Sequence, residues 1–78
     1  TNGDINSYTS CVQDYKGRLI IGSYSGFFVY DKDWKYQHFL PGKTYAENKI
    51  LIITIAPDST IWMGTNRGIH QYDKNLNK

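Results

Sequence analysis

The residues of this chain that could do chemistry are seven carboxylates, two histidines and one cysteine. Hydrolysis of a glycosidic bond needs two positioned carboxylates, one as the acid and one as the base or nucleophile. The carboxylates here mostly lie at predicted turns or recur with an internal repeat, which indicates that they accept turn hydrogen bonds. They are Asp4, Asp14, Asp31, Asp33, Glu47, Asp58 and Asp73. We therefore expect no catalysis in these residues.

The histidines and the cysteine point to structural roles. His38 and His70 are isolated, without a second ligand at metal spacing, so we expect structural or surface histidines and neither a metal nor a cofactor. Cys11 is the one cysteine, which excludes an intrachain disulfide, and we interpret it as a small buried apolar residue.

The elements that position these residues come in two copies, 42 residues apart. Between residues 19 and 34 this offset matches Gly22 with Gly64, Gly26 with Gly68, and the segment Tyr30-Asp-Lys with Tyr72-Asp-Lys. Blades of four-stranded propellers repeat at about 40–50 residues. Ahead of Gly17 the copies align poorly, and a slip of one residue there is compatible with the pattern.

Short apolar segments and turn residues predict an all-β chain. The first copy has predicted strands at 9–14, 18–23, 27–31 and 36–40, separated by Asp- and Gly-containing turns. A polar stretch follows Pro41 and runs to residue 48, and the second copy has predicted strands at 50–55, 60–65 and 69–73. No segment shows helical periodicity. The predicted fold is a fragment of about two four-stranded antiparallel blades, the second without its outer strand.

Residues 60–73, with the sequence TIWMGTNRGIHQYD, closely resemble the two-component regulator propeller repeat. Residues 17–31, GRLIIGSYSGFFVYD, fit the same pattern, with Ile20 in place of the usual Trp and Ser23 in place of Thr. The second copy departs from the first by having Ser59 where the first has Gly17. The resemblance implies one propeller fragment over residues 1–78, with repeat one at about 8–42 and repeat two at about 50–78.

The repeat motif itself has a structural role. We expect Gly26 and Gly68 at positive φ, and Gly22 and Gly64 where a neighbour or a bend leaves no room for a side chain. Packing between blades is expected for Leu19, Ile20, Ile61 and Trp62. The motif therefore identifies a scaffold better than it identifies a site.

The resemblance implies a sensor rather than an enzyme. Such propellers form the periplasmic sensor region of membrane-spanning hybrid histidine kinases, which respond to glycan fragments. The expected function is a contribution to glycan recognition and signal transmission. The chain carries no kinase or receiver segment, no signal peptide and no membrane-spanning apolar run, so we expect no phosphotransfer and no direct membrane insertion by these residues.

Sugars are bound by aromatic faces and planar polar groups, which gives a set of candidate ligand-binding residues. These are Tyr24, Trp34, Tyr36, Asn66 and Arg67. Two alternatives stay open: Tyr24, Asn66 and Arg67 are also typical solvated turn residues, and Trp34 aligns with Leu76, which favours packing.

Other function classes remain as alternatives. A protein-interaction or dimerisation scaffold fits the same sequence. A propeller glycosidase or lyase is disfavoured, because Asp58-Ser-Thr-Ile-Trp62 lacks the glycine of the aspartate box of sialidase propellers. Nine basic residues against seven acidic ones, without long runs, argue against a nucleic-acid partner. The expected partners are the remaining blades of the parent protein, an oligosaccharide, and further copies of the chain, because two blades cannot close a ring.

Overall fold

The computed structural model describes residues 10–14 and 16–78. Within them the chain is all-β, as predicted, with two antiparallel sheets and one short helix. The elements are β1 Ser10–Gln13, β2 Leu19–Ser23, β3 Gly26–Tyr30, β4 Tyr36–Phe39, α1 Tyr45–Asn48, β5 Ile52–Ile55, β6 Ile61–Thr65 and β7 Gly68–Tyr72. The first sheet has the order β1-β2-β3-β4, and the second has the order β5-β6-β7. Asp4 and the Cys11 side chain lie outside the described part of the chain, so the predictions made for them stay predictions.

The predicted strands are all present, and their ends differ from the prediction by one or two residues. β2, β4 and β6 are one residue shorter than predicted, and β3 and β7 begin and end one residue earlier. The largest difference is in β5, which begins at Ile52 rather than at residue 50. The reason is local: the Ile50 amide bonds to β2 of the first sheet, and the Leu51 amide makes the last bond to β6 at the end of the ladder. The Ile50 N–H donates to the Ser23 carbonyl, and the Leu51 N–H donates to the Gly64 carbonyl, each at 2.8 Å.

The offset of 42 residues holds in the structure from the first described strand onward. Adding 42 to the bounds of β1, β2 and β3 gives the bounds of β5, β6 and β7. The turn ahead of β2 follows the same frame, because the Gly17 N–H donates to the Asp14 carbonyl at 3.0 Å and the Ser59 N–H donates to the Ala56 carbonyl at 2.9 Å. The slip that the sequence allowed at this turn is absent.

Positive φ angles also occur in pairs that are 42 residues apart. The predicted glycines Gly26 and Gly68 have φ of 83° and 124°. Gly17 at 81° pairs with Ser59 at 72°, so the second copy keeps the turn although it has lost the glycine. The third pair is Trp34 at 63° and Leu76 at 67°. The repeat therefore determines the backbone even where the residue type disfavours the conformation.

Helical periodicity is absent from the polar stretch after Pro41, yet α1 forms one turn inside it. Thr44 begins it with a capping box: its hydroxyl accepts from the Glu47 N–H at 3.2 Å, and the Glu47 carboxylate accepts from the Thr44 N–H at 3.1 Å. Asn48 accepts from the Gly42 N–H at 2.7 Å. Four residues are too few for a periodic pattern, so local capping rather than amphipathicity produces this turn.

The two sheets pack face to face, and we call the facing surfaces their inner faces. The core between them contains Ile20, Phe27, Val29, Ile50, Ile53, Ile61, Met63 and Tyr72. The rings of Phe27 and Tyr72 meet edge to face, with centroids 5.1 Å apart. The sheets approach each other most closely at β1 and β5, where the Ile53 N–H donates to the Ser10 hydroxyl at 3.3 Å.

The opposite surface of each sheet is its outer face. Because side chains alternate along a strand, the motif residues predicted to pack divide between the faces. Ile20 and Ile61 are fully buried on the inner faces, whereas Leu19 is half-buried and Trp62 is 39% exposed on the outer faces. Each repeat therefore carries apolar residues on both sides of its sheet.

Candidate functional site

The predicted site residues form two groups at different places. Tyr24, Asn66 and Arg67 lie in the β2–β3 and β6–β7 turns, which point to the same side of the molecule. We call this side the turn edge. Trp34 and Tyr36 lie instead in and after the β3–β4 turn, on the outer face of the first sheet. The structure therefore does not combine the five residues into one site.

The two turns of the turn edge are built in the same way. In the first turn, the Ser23 hydroxyl donates to the Gly26 carbonyl at 2.9 Å and accepts from the Ser25 N–H at 3.0 Å. In the second turn, the Thr65 hydroxyl donates to the Gly68 carbonyl at 3.0 Å and accepts from the Arg67 N–H at 3.0 Å. These bonds hold the turn backbones and leave the Tyr24, Asn66 and Arg67 side chains exposed.

The connection over residues 40–50 crosses the same edge and adds groups that sequence reasoning missed. Lys49 places its Nζ 4.5 Å from the centroid of the Tyr24 ring, a cation–π contact. Tyr24 is 38% exposed, so part of its ring remains open to solvent. No sequence pattern marks Lys49, because the contact depends on how the connection folds back over the first turn.

Both histidines also contact the turn edge, through backbone carbonyls. The His38 Nε2 lies 2.5 Å from the Ser25 carbonyl oxygen, and the His70 Nε2 lies 2.8 Å from the Glu47 carbonyl oxygen. A carbonyl only accepts, so each Nε2 carries the donated hydrogen. Among residues 10–14 and 16–78, no three His, Cys, Asp or Glu side chains stand close enough together to hold a metal ion.

Glu47 is the carboxylate nearest to this edge, and its surroundings explain its ionisation. The backbone N–H of Lys43 donates to its carboxylate at 2.8 Å, and the Thr44 N–H does so at 3.1 Å. These hydrogen bonds, that from Lys43 foremost, lower the pKa of Glu47 below its ordinary value. Its Oε1 atom accepts both of these bonds at the cap, which makes Glu47 a structural group.

The second group is part of an aromatic cluster on the outer face of the first sheet. The ring centroid of Tyr30 lies 5.3 Å from that of Tyr36 and 6.2 Å from that of Trp34. Phe28 stacks on His38 with centroids 4.4 Å apart. Trp34 is 70% exposed and Tyr36 is 55% exposed. This cluster presents exposed aromatic side chains, which suits packing against another apolar surface.

The aspartates of residues 10–14 and 16–78 lie on the opposite side, which we call the aspartate edge, and four of them hold turns. The Asp31 carboxylate accepts from the N–H groups of Asp33 and Lys35, and the Asp73 carboxylate accepts from those of Asn75 and Asn77. The hydrogen bond from the Asn77 N–H is the main reason that the pKa of Asp73 is lowered. These bonds agree with the turn role that the sequence predicted for the repeated aspartates.

The remaining turn aspartates follow the same principle. Asp58 accepts from the Thr60 N–H at 3.0 Å, which lowers its pKa. Asp14 is buried, accepts from the Lys16 and Arg18 N–H groups, and forms an ion pair with the Arg18 guanidinium at 2.5 Å. Arg18 also donates to the Lys74 carbonyl at 3.3 Å, which joins the two sheets at this edge.

Two shallow clefts at the aspartate edge occupy equivalent places in the two copies of the repeat. The first has a volume of about 330 Å³, and the second has a volume of about 320 Å³. Gln71, Asp73, Asn77 and Lys78 line the second cleft, and they are the counterparts, 42 residues later, of four residues of the first. The first is lined by Val29, Asp31, Lys35 and Tyr36 together with Arg18 and Gln37. A cleft that recurs with the repeat follows from the shape of the unit. Neither cleft contains the residues predicted to bind a glycan, apart from Tyr36 at the rim of the first.

Comparison of the chain with protein-family models, with curated proteins and with solved structures gives no match. In the described part of the chain, α1 is the helix present, and it is far too short to cross a membrane. The functional interpretation therefore depends on the repeat, on the turn edge and on the exposed faces of the two sheets.

Proposed function

We propose that the chain supplies two adjacent blades of a β-propeller in the periplasmic sensor region of a hybrid two-component system. In this role it contributes to recognition of a glycan-type ligand and to transmission of the signal. Any kinase activity belongs to other segments of the parent protein. The remaining blades of that parent are the partners of the two sheets described above.

One observation carries the proposal: the two copies of the motif form two sheets that stack face to face, and their strands are related by a constant offset of 42 residues. Blades of a propeller are short antiparallel sheets that repeat around an axis. The close approach of β1 and β5, the first strands of their sheets, supports a radial arrangement with these strands nearest the axis. The motif of residues 60–73 supports the two-component regulator class among propellers.

The turn edge is the proposed contact surface for the glycan. It offers a part-open Tyr24 ring, the Lys49 ammonium group, and the exposed side chains of Asn66 and Arg67. Aromatic faces bind the apolar side of a sugar, and planar polar groups bind its hydroxyls. Trp34 and Tyr36 are assigned instead to packing, because they belong to the aromatic outer face of the first sheet.

The test is calorimetric titration of the protein containing all its blades with a panel of oligosaccharides. For a glycan that binds, Tyr24→Ala and Arg67→Gln are expected to weaken affinity about tenfold each, a loss of about 1.4 kcal/mol of binding free energy. Tyr24→Phe keeps the ring and is expected to bind with the affinity of the unmodified protein. Lys32→Gln, at the aspartate edge, is the charge-matched control for Arg67→Gln and is expected to leave affinity unchanged.

The second candidate function is an interaction scaffold without a small-molecule ligand. The exposure of apolar side chains on both outer faces favours it, since such surfaces mark protein contacts. Binding of no oligosaccharide in the panel by a folded protein would favour the scaffold and contradict the glycan proposal. Enzymatic activity is assigned to neither candidate, and the hydrolysis of chromogenic glycosides above the buffer rate would contradict both.

A further inference from the structure

The outer face of the second sheet presents the same strand positions as the inner face of the first. Subtracting 42 from Trp62 gives Ile20, and subtracting 42 from Ile69 gives Phe27. Ile20 and Phe27 are fully buried beneath the second sheet, whereas Trp62 is 39% exposed and Ile69 is 70% exposed. A surface that is covered in one copy of the repeat is thus open in the other.

The converse holds for the outer face of the first sheet. Tyr30 there corresponds to Tyr72, which is 5% exposed, and Trp34 corresponds to Leu76, which packs against the core. Trp34 itself is 70% exposed. The stack of two sheets therefore has one exposed outer face on each side. The strand positions on these two faces are the same ones that pack against each other between the sheets.

We propose that, where no further blade covers these faces, the outer face of the second sheet binds the outer face of the first sheet of a second copy of this chain, head to tail. The internal interface between the two sheets provides the template. In the template, the ring centroids of Phe27 and Tyr72 lie 5.1 Å apart, and Leu76 packs against the core to which both rings belong. In the interface between copies, Ile69 takes the place of Phe27, and Tyr30 and Trp34 take the places of Tyr72 and Leu76.

This interface is heterologous, because the two contacting surfaces are different. Such contacts do not stop at a dimer; they continue until a ring closes or a filament grows. The inference uses the repeat and the stacking of the sheets, and it does not require that the protein bind a glycan. Failure of the glycan proposal would leave it standing, since the measured property is association and not ligand binding.

The test is sedimentation velocity of the 78-residue chain and of two variants, alone and mixed. Ile69→Glu places a charge on the outer face of the second sheet, and Trp34→Asp places one on the outer face of the first. Aspartate is accommodated at positive φ better than most residues, so the turn at residue 34 is kept. Both new charges are negative, so the altered faces do not attract each other.

The expected result has three parts. The unmodified 78-residue chain forms species larger than a dimer, and their population grows with concentration. Each variant alone sediments as a monomer. An equal mixture of the two variants gives a dimer and nothing larger, because it contains one intact pair of complementary faces. Lys32→Asp in the same turn and Lys43→Glu in the connection after β4 are the matched controls, and they associate like the unmodified chain.

Three outcomes would overturn the proposal. The first is an unmodified chain that is folded and stays monomeric at all concentrations, which would indicate that these faces bind a different partner. The second is a variant that still self-associates, which would indicate a face pairing with its own copy. The third is a mixture of folded variants that remains monomeric. Circular dichroism checks the fold, and Ile69→Thr, which keeps the branched side chain of a strand former, replaces Ile69→Glu if that variant is unfolded.

Discussion

The β3–β4 turn in the first sheet and the segment after β7 in the second have the same backbone conformation at one position, but they differ in burial. Trp34 and Leu76 occupy equivalent positions at nearly equal positive φ, 63° and 67°. Leu76 packs against the core between the sheets, while Trp34 projects from the outer face with 70% of its surface exposed. Backbone conformation is therefore a property of the repeat, whereas burial depends on whether a neighbouring sheet is present.

The largest expected effect compares Phe27 with its counterpart Ile69. Phe27→Ala removes a fully buried ring that contacts Phe39 and Tyr72, so we expect a loss of about 3–5 kcal/mol in the free energy of unfolding. Ile69→Ala, at dilutions where the chain does not associate, is expected to change it by less than about 1 kcal/mol. Urea denaturation measures both, and equal losses would contradict the assignment of inner and outer faces.

The next effect compares the two turn glycines. A Cβ on Gly26 would lie 2.0 Å from the Phe39 carbonyl oxygen, whereas a Cβ on Gly68 would meet nothing within 4 Å. Both glycines have positive φ. We expect Gly68→Ala to cost about 1–2 kcal/mol through φ alone, and Gly26→Ala to cost more because β4 must move. Thermal unfolding of the two variants ranks them, and the reverse order would show that β4 does not cover Gly26.

A smaller effect concerns the turn ahead of the second strand in each sheet. Ser59 has φ of 72° where the first copy has Gly17, so the serine is strained. Ser59→Gly relieves this strain but adds freedom to the unfolded chain, and we expect a net gain of roughly 0.5–1 kcal/mol. The exchange Gly17→Ser is expected to destabilise by a similar amount. A loss of stability in Ser59→Gly would refute the equivalence of these turns.

The smallest effect is a pH dependence at the aspartate edge. Hydrogen bonds from Asn77 and Asn75 lower the pKa of Asp73 in the folded chain below its value in the unfolded chain. The carboxylate therefore stabilises the fold above the ordinary pKa of about 4, and this contribution is lost as pH falls through the lowered folded value. Asp73→Asn is expected to unfold with a shallower dependence on acid than the parent. If the unmodified chain and Asp73→Asn lose stability equally between neutral and acidic pH, Asp73 does not contribute to the acid dependence. Asp33→Asn, in the equivalent turn of the first copy, is the control.

Burial has the opposite consequence for Tyr72 at alkaline pH. The buried phenol has its pKa raised above the ordinary value of 10.0, because desolvation disfavours the phenolate. Its contribution to stability is complete below that ordinary value and is lost as pH rises through the raised folded value. Tyr72→Phe is expected to remove this alkaline loss, as followed by circular dichroism. A parent chain with no alkaline transition would contradict the burial of Tyr72.

The sequence predicted the strands, the positive φ of Gly26 and Gly68, and the turn roles of Asp31 and Asp73, because these depend on residues close together in the chain. The one-turn helix was missed, although Thr44 and Glu47 have the spacing of a capping box, which was the signal available. The sequence does not determine the register ahead of Gly17, because Asp14 and Ala56 differ in type while their backbones hydrogen-bond alike.

The candidate site was predictable only in part. Tyr24, Asn66 and Arg67 were identified from residue type and turn position, and the structure places them on one edge. The separation of Trp34 and Tyr36 from that edge depends on strand pairing, and so does the aromatic cluster around Tyr30. The approach of Lys49 to the Tyr24 ring depends on the path of a connection that has no regular pattern. Such contacts arise from tertiary structure, so a reading of local sequence does not reveal them.

The central claim is that the two copies of the repeat stack with the inner face of one sheet against the inner face of the other. Nuclear Overhauser effects from the Phe27 ring protons measure this most directly, because that ring is fully buried in the core and meets Tyr72 of the other sheet. The account predicts strong effects from Phe27 to Tyr72 and none from Phe27 to Tyr36 on the outer face. Effects from Phe27 confined to its own sheet, with none to Tyr72, would contradict the account.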